Sequence, residues 1–206
     1  MGYNHLMLIT LAVSALGLFA FLFLFWKRLK EDYAGEIIFR SASYILVGSA
    51  VGWVIAVNFS PGWFFWAWIA GGLLGLLFAV LRFRVKFYET LEAFIISFLP
   101  WLALVFLRDS GARSSFSSFL AFIVILIMLF ISYYLDTHYK GFTWYRSGKI
   151  GFAGLTVAVI FFLIRTAIAM TKVTVISFVG QGEALISGIT ALVSFLLLFN
   201  LARVKK

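Results

Sequence analysis

Long apolar runs separated by short polar segments dominate the chain. Seven runs have about the 20 residues that a helix needs to cross the hydrocarbon core of a bilayer. They cover residues 6–26, 37–59, 62–81, 87–107, 116–135, 150–170 and 184–202. None shows the apolar–polar alternation of strands in a transmembrane barrel; the stretch from Leu120 to Leu135, for example, is apolar at most positions. The pattern predicts an all-α, polytopic bundle of about seven transmembrane helices, forming a single integral membrane domain over residues 1–206.

Composition excludes the other broad protein classes. Of the 206 residues, 64% are hydrophobic and 12% are charged, whereas a soluble domain is about 45–50% apolar and about 25% charged. One water-soluble core of this size cannot bury so much apolar surface. There are two prolines and no cysteine, which excludes a collagen, a disulfide scaffold, a thiol nucleophile and thiolate metal sites.

The basic residues are distributed unevenly between the two sides of the predicted bundle. Of the 17 lysines and arginines, 12 lie in the connections or tail that follow the first, third, fifth and seventh runs: Lys27, Arg28, Lys30, Arg82, Arg84, Lys86, Lys140, Arg146, Lys149, Arg203, Lys205 and Lys206. The opposite connections hold Arg108, Arg113 and Lys172. Because Lys- and Arg-rich loops face the cytoplasm, the asymmetry predicts an N-terminus outside and a C-terminus inside. The net charge of +9 is then a topology signal, and no nucleic-acid partner is expected.

The first run is predicted to be a retained span. The residues from Met1 to His5 include no lysine or arginine, whereas Lys27, Arg28 and Lys30 follow the run. This order of charge is the reverse of a secretory signal peptide.

Two arginines of the predicted outer half are the strongest functional candidates, because charged side chains inside a bilayer cost several kcal/mol. Arg165 lies near position 16 of the sixth run with no acid nearby in sequence, and Arg108 ends the fourth run. Together they could hold a lipid phosphate, since a guanidinium suits bidentate phosphate contact. In the alternative interpretation, Arg108 anchors the interface beside Asp109 and Arg165 extends its charge toward water.

The other polar residues favour structural roles. Arg40 could pair with Glu36 at i−4, or with Glu89 or Glu92 at the same predicted depth. The pair Glu89 and Glu92 lies near basic residues, which favours ion pairing over acid–base work. Two pairs of glycines lie four positions apart, Gly48 with Gly52 and Gly71 with Gly75. This spacing permits close packing of helices. The five tryptophans expected to anchor the interface are Trp63, Trp66, Trp68, Trp101 and Trp144.

Recognisable enzyme and metal motifs are missing from the sequence. Neither His5 nor His138 has a partner at metal-ligand or triad spacing, and no Gly-x-Ser-x-Gly, Walker or HExxH motif occurs. The segment 171–183, which follows the sixth run, matches no span, and within it Val173–Phe178 could form a lipid-facing re-entrant or interfacial piece.

The sequence resembles the prolipoprotein diacylglyceryl transferase family at several short motifs. The segment Ala70–Gly75, early in a span after an outer Pro-Gly turn, corresponds to a His-Gly-Gly segment of that family. The fourteen positions between Gly151 and Arg165 match the family's glycine–arginine spacing in its sixth span. Arg108 matches the arginine of the Gly-Arg-x-Gly-Asn signature, and Gly48–Trp53 is similar to a Gly-rich segment of the second span.

The resemblance implies an enzyme of the bacterial plasma membrane. Members move a diacylglyceryl group from phosphatidylglycerol to a lipoprotein cysteine at the outer leaflet, without metal or organic cofactor. Carried over by position, Arg108 and Arg165 would be catalytic, and Gly71, Gly72 and Gly151 would bind substrate. The partners would be a phosphatidylglycerol-like phospholipid and the signal peptide of a lipoprotein precursor.

This chain departs from the family at four positions. Ala70 replaces the histidine, Ala50 the second-span arginine and Ala169 a glutamate, and no asparagine follows Arg108 in the signature. The chain therefore keeps Arg108 and Arg165 as candidates for binding a phosphate, but it lacks a candidate side chain for deprotonating a thiol. The alternative hypothesis is a catalytically degenerate paralogue that acts as a phospholipid-binding or scaffold protein. A transporter or channel is disfavoured because the middle of the spans has few polar residues.

Overall fold

The computed structural model describes residues 3–138, 151–171 and 175–203, and within these ranges the chain is helical with no strand. The seven helices are α1 (Tyr3–Leu29), α2 (Gly35–Phe59), α3 (Phe64–Phe83), α4 (Phe87–Arg113), α5 (Phe116–His138), α6 (Phe152–Ala169) and α7 (Glu183–Arg203). Single 3₁₀ turns, Pro61–Trp63 and Gly180–Gly182, precede α3 and α7. All seven helices are long and apolar enough to cross a membrane. The predicted all-α, multi-pass membrane architecture is thus confirmed.

Short connections make consecutive helices antiparallel, so the bundle has two distinct ends. The Pro61 end carries the α2–α3 and α4–α5 turns and the α6–α7 connection. The Arg28 end carries the α1–α2 and α3–α4 connections, the end of α5 and the start of α6. Among the described residues, the basic side chains at or beside these connections are Lys27, Arg28, Lys30, Arg82, Arg84 and Lys86. Lys140, Arg146, Lys149, Lys205 and Lys206 lie outside the described residues.

Helix α4 is the centre of the bundle. It packs against α1, α3, α5 and α6, and it is the most deeply buried of the seven helices. The other helices follow one another around it in the order α1, α2, α3, α7, α6 and α5. Two of these neighbours, α3 and α7, separate from each other along part of their length.

Helices α2 and α3 approach each other through glycines, as the small-residue spacing predicts. A Cβ atom on Gly48 would overlap the carbonyl of Gly71, and one on Gly75 would overlap the carbonyl of Tyr44. The backbones are therefore too close for any side chain at these positions.

Candidate functional site

Arg165 and Glu183 form an ion pair buried between α6 and α7 at the Pro61 end. The Arg165 Nη2 and Nε atoms lie 2.5 and 2.9 Å from Glu183 Oε1. The Arg165 side chain also donates to Ser177, from Nη1 to Oγ at 2.8 Å and from Nη2 to the carbonyl oxygen at 2.9 Å. Arg165 is 4% exposed and Glu183 is fully buried, so the arginine is neutralised inside the protein and does not extend to water.

The carboxylate of Glu183 collects donors from three further groups. Ser187 Oγ donates to Oε1 at 2.6 Å. Trp66 Nε1 and the backbone N–H of Val179 donate to Oε2 at 3.0 and 3.1 Å. Glu183 thereby joins the beginnings of α3 and α7 to the segment between α6 and α7.

Aromatic rings surround the guanidinium of Arg165. Its Cζ atom lies 4.0 Å from the ring centre of Phe65 and 4.8 Å from that of Phe178. Trp66 stacks on Phe162 with ring centres 5.6 Å apart. These contacts are favourable for a desolvated cation, and they exclude water from the ion pair.

The ion pair borders a cavity of about 300 Å³, here called the Arg165 cavity. It lies between α4, α5 and α6 in the half of the bundle at the Pro61 end, and its walls are mostly apolar. The lining residues are Phe106, Ser117, Leu120, Ala121, Val124, Ile125, Phe161, Ile164, Arg165, Ile168, Thr171, Val175 and Phe178.

A second apolar space, here called the α3–α7 cleft, lies on the other side of α6. It has a volume of about 290 Å³ and runs from the Arg28 end to the middle of the bundle, with α4 as its floor. Its lining comprises Ile69, Leu73, Leu76, Leu77, Phe87, Leu91, Phe94, Ile95, Phe98, Leu99, Leu102, Leu155, Val157, Ala158, Phe161, Phe162, Thr190, Val193, Ser194 and Leu197.

Arg108 is not brought to the Arg165 cavity. It is exposed near the end of α4 and does not contribute to the lining of that cavity. The neighbouring Asp109 is buried and bonds to Arg113 Nε at 3.2 Å and to Ser118 Oγ at 2.5 Å. The structure therefore does not assemble the predicted two-arginine phosphate site.

The three glycines predicted to bind substrate occupy packing positions. A Cβ on Gly71 would overlap the carbonyl of Gly48, and one on Gly72 would overlap the Ser49 hydroxyl. Gly151 adopts φ +121° just before α6, a conformation that strains any other residue. None of the three lines the Arg165 cavity or the α3–α7 cleft, so the role that this geometry supports for them is helix packing.

A second buried carboxylate organises the Arg28 end. Glu92 of α4 is 1% exposed and accepts the backbone N–H groups of Gly151 at 2.6 Å and Gly154 at 3.1 Å. These N–H groups at the start of α6 have no acceptor within the helix. Arg28 bridges Glu92 and Asp136, with distances of 3.0 and 2.5 Å. Four helices, α1, α4, α5 and α6, therefore meet at one ionic network.

A partly exposed network lies beside the α3–α4 connection. Glu89 accepts from the Lys86 Nζ atom and from the Tyr33 hydroxyl, both at 2.7 Å. The hydrogen bond to Glu89 raises the pKa of the Lys86 ammonium group. Burial raises the pKa of the Tyr33 phenol.

Arg40 pairs with Glu36 one turn earlier, as the i−4 alternative predicts. The distance is 2.5 Å, and both side chains are more than half exposed. Glu89 and Glu92 have other partners, so the alternative pairings of Arg40 are not formed.

Metal-ligating side chains do not cluster in the part of the chain that the structure describes: no three His, Asp or Glu residues there are placed to hold a metal ion. His138 instead stacks on Tyr134 at the end of α5. The expectation that the protein uses no cofactor stays a prediction.

Sequence reasoning missed the partners of Arg165. Glu183 stands 18 positions after Arg165, and Ser177 lies in the connection between α6 and α7. Trp66 is expected from the sequence to anchor the interface. The described part of that connection is not an exposed lipid-facing piece throughout, since Ser177 is fully buried. The pairing could have been suggested by position along the spans. Arg165 lies near the end of α6 and Glu183 at the start of α7, so the two are at a similar depth in the bilayer and face each other across an antiparallel hairpin.

Comparisons with protein-family models, curated proteins and solved structures gave no match to this chain. The functional argument therefore depends on the site itself.

Proposed function

We propose that this multi-pass membrane protein binds membrane phospholipid in the Arg165 cavity. The observation that carries the proposal is the guanidinium of Arg165, whose charge Glu183 neutralises, in the wall of a mostly apolar cavity of about 300 Å³. Apolar walls with one convergent polar group are typical of a ligand site, and in a membrane the abundant ligand of this character is a lipid.

The hydrogen bonds of Arg165 leave capacity for a ligand oxygen. A guanidinium has five N–H donors; four are directed at Glu183 and Ser177. The second hydrogen of Nη1 has no acceptor among the described residues. It can donate to an ester or phosphate oxygen while the acyl chain lies along Ile164 and Val124.

The charge of the site sets the expected selectivity. Glu183 compensates Arg165, so the site carries no net charge, and the exposed Arg108 is not at the cavity. We therefore expect only a modest preference for an anionic headgroup such as that of phosphatidylglycerol. This differs from the strong anion selectivity that two unpaired arginines would give.

Filling the cavity tests the proposal. In detergent, phosphatidylglycerol at 100 times its dissociation constant should stabilise the protein by about 2.7 kcal/mol. Ala121→Phe places a ring in the Arg165 cavity and should remove the part of this stabilisation that comes from lipid in the cavity. Ile127→Phe on the exposed face of the same helix is the matched control and should retain it. Full lipid stabilisation in the Ala121→Phe protein would rule out the cavity as the site.

Diacylglyceryl transfer is a second candidate, favoured by one observation. Arg165 lies in the wall of a cavity and is paired with Glu183, and a cation and a carboxylate are the groups that hold a phosphate and accept a thiol proton. In this proposal the protein acts in the bacterial plasma membrane, on phosphatidylglycerol and a lipoprotein precursor.

A lipoprotein reporter tests the transfer reaction. The protein is expressed in cells depleted of their own transferase, and the reporter mass is measured. A mass increase of one diacylglyceryl group that appears only in cells expressing the protein would support transfer. A reporter without added lipid, from cells with normal levels of the protein, would exclude transfer and leave lipid binding to be judged by the cavity experiment.

A further inference from the structure

The α3–α7 cleft is separate from the Arg165 cavity and has a closed end and an open end. At its closed end, Trp66 of α3 donates to Glu183 of α7 and stacks on Phe162, which lines the cleft. Elsewhere α3 and α7 do not pack against each other, so the cleft opens between them toward the Arg28 end. Buried residues of α4 form its floor.

The cleft walls offer almost nothing to a polar ligand. Of the lining residues, only Thr190 and Ser194 carry a polar side chain, and Thr190 Oγ1 is already bonded to the Ile186 carbonyl at 2.8 Å. The floor of Phe94 and Phe98 is continuous and apolar. An apolar chain entering from the bilayer would replace lipid contacts by protein contacts without desolvating a polar group.

An extended acyl chain is much narrower than a helix, which is about 10 Å across with its side chains. It can follow the apolar floor along α4 from Phe87 to Leu102. An acyl chain is narrow enough to lie along the length of the cleft.

Positive charge stands at the open end. Arg84 directly follows α3 and precedes the lining residue Phe87 by three positions, and Arg82 lies in the last turn of the same helix. Both arginines are exposed, and neither forms an ion pair with another described residue. Each basic residue near a membrane surface attracts anionic lipid by about 1 kcal/mol, as in juxtamembrane polybasic segments.

We propose that the α3–α7 cleft binds one acyl chain of an anionic phospholipid from the leaflet at the Arg28 end, with the lipid phosphate beside Arg84 and Arg82. This site lies on the other side of α6 from the Arg165 cavity, with Phe161 lining both, and it does not depend on the function proposed for that cavity.

Photolabelling the full chain in vesicles tests the proposal. The probe is phosphatidylglycerol with a diazirine on its acyl chain, and labelled positions are identified by mass spectrometry. We expect labels on Phe94 and Phe98, which are 3% and 7% exposed and are reached only from within the cleft. Labels confined to lipid-facing residues such as Leu74 would overturn the proposal that the cleft binds an acyl chain. Labelling of Ile125 reports the Arg165 cavity separately, so the two proposals can fail independently.

Variants of adjacent residues give the matched control. Leu73→Trp fills the cleft, whereas Leu74→Trp adds the same ring to the lipid-facing side of α3, where Leu74 is 68% exposed. Floor labelling should disappear in the first variant and persist in the second. Equal floor labelling in both variants would contradict the proposal.

The headgroup is tested by changing the probe. Arg84→Gln should reduce floor labelling about fivefold, and replacing phosphatidylglycerol by a phosphatidylcholine probe, which loses the attraction of both arginines, should reduce it about 30-fold. Inorganic phosphate in millimolar excess should leave labelling unchanged if the ligand is the lipid. Competition by free phosphate, or identical labelling by both lipids, would refute the headgroup assignment. Labelling of the floor by an apolar helical peptide in place of the lipid would refute the acyl-chain occupant.

Discussion

Replacing Glu183 with glutamine should strongly destabilise the protein. The substitution keeps the size of the side chain but removes its charge. Arg165, 4% exposed, would then be a buried cation without a counter-ion, because the other group to which it donates, Ser177, is neutral.

The magnitude follows from the donors directed at the carboxylate. Oε1 accepts from Arg165 and Ser187, and Oε2 accepts from Trp66 and Val179. A glutamine has one acceptor oxygen and one NH₂ group. The NH₂ group would replace one of the two carboxylate oxygens, so the groups that donate to that oxygen would face another donor. A buried donor without an acceptor costs about 1–3 kcal/mol, and breaking a buried ion pair costs about 3–5 kcal/mol. We expect Glu183→Gln to lose about 3–5 kcal/mol of the free energy of unfolding.

The assay is reversible unfolding in mixed micelles of increasing sodium dodecyl sulfate content, followed by circular dichroism. Glu36→Gln is the matched control, because its ion pair with Arg40 is more than half exposed. Such a pair at i,i+4 contributes about 0.3–0.5 kcal/mol. A double variant, Arg165→Met with Glu183→Met, should recover part of the loss because no charge is left buried.

A Glu183→Gln protein within about 1 kcal/mol of the parent would refute this reasoning. It would mean that the ion pair contributes no more than a surface pair. The proposed role of Glu183 in joining α3, α6 and α7 would then be wrong.

Three further predictions concern topology, packing and pH. Because the chain has no cysteine, an impermeant maleimide applied to intact cells should label Gly62→Cys and not Glu31→Cys, which occupy exposed sites at opposite ends; the reverse pattern would refute the N-outside topology. Gly154→Ala should lose about 1–3 kcal/mol in the same unfolding assay, because its Cβ would lie 2.9 Å from atoms of α4; Gly111→Ala, with open space around it, should not be destabilised. Because its carboxylate partner raises the pKa of Lys86 in the folded protein, the stabilisation from this hydrogen bond should be complete below about pH 10.4 and disappear as the pH rises through the raised pKa. Lys86→Gln should therefore be less stable than the parent at neutral pH and equally stable in strong alkali, and a constant difference across this range would contradict the assignment.

Features that are local in sequence were predictable without the structure. The seven helices follow from the length of the apolar runs, because backbone polar groups in a bilayer must be satisfied within a helix. The pairing of Arg40 with Glu36 is possible because residues four apart share a helix face. The close approach at Gly48 and Gly71 follows from small residues repeated at the same interval.

Contacts between helices could not be predicted in the same way. In a soluble protein the apolar stripe shows which face of a helix is buried. Here lipid and protein interior are both apolar, so the sequence of a span does not specify its rotation about its axis. Trp66 illustrates this: its position suggests an interfacial anchor, yet its ring turns inward and donates to Glu183.

The class of protein, the number of spans and the uneven distribution of charge along the chain therefore follow from the residues alone. Which polar groups meet becomes visible only in the folded bundle: Arg165 with Glu183, Glu92 with the start of α6, and Arg108 with neither. The physical reason is that membrane insertion depends on the hydropathy of each segment alone, whereas the pairing of buried charges depends on the depth and rotation of several helices at once.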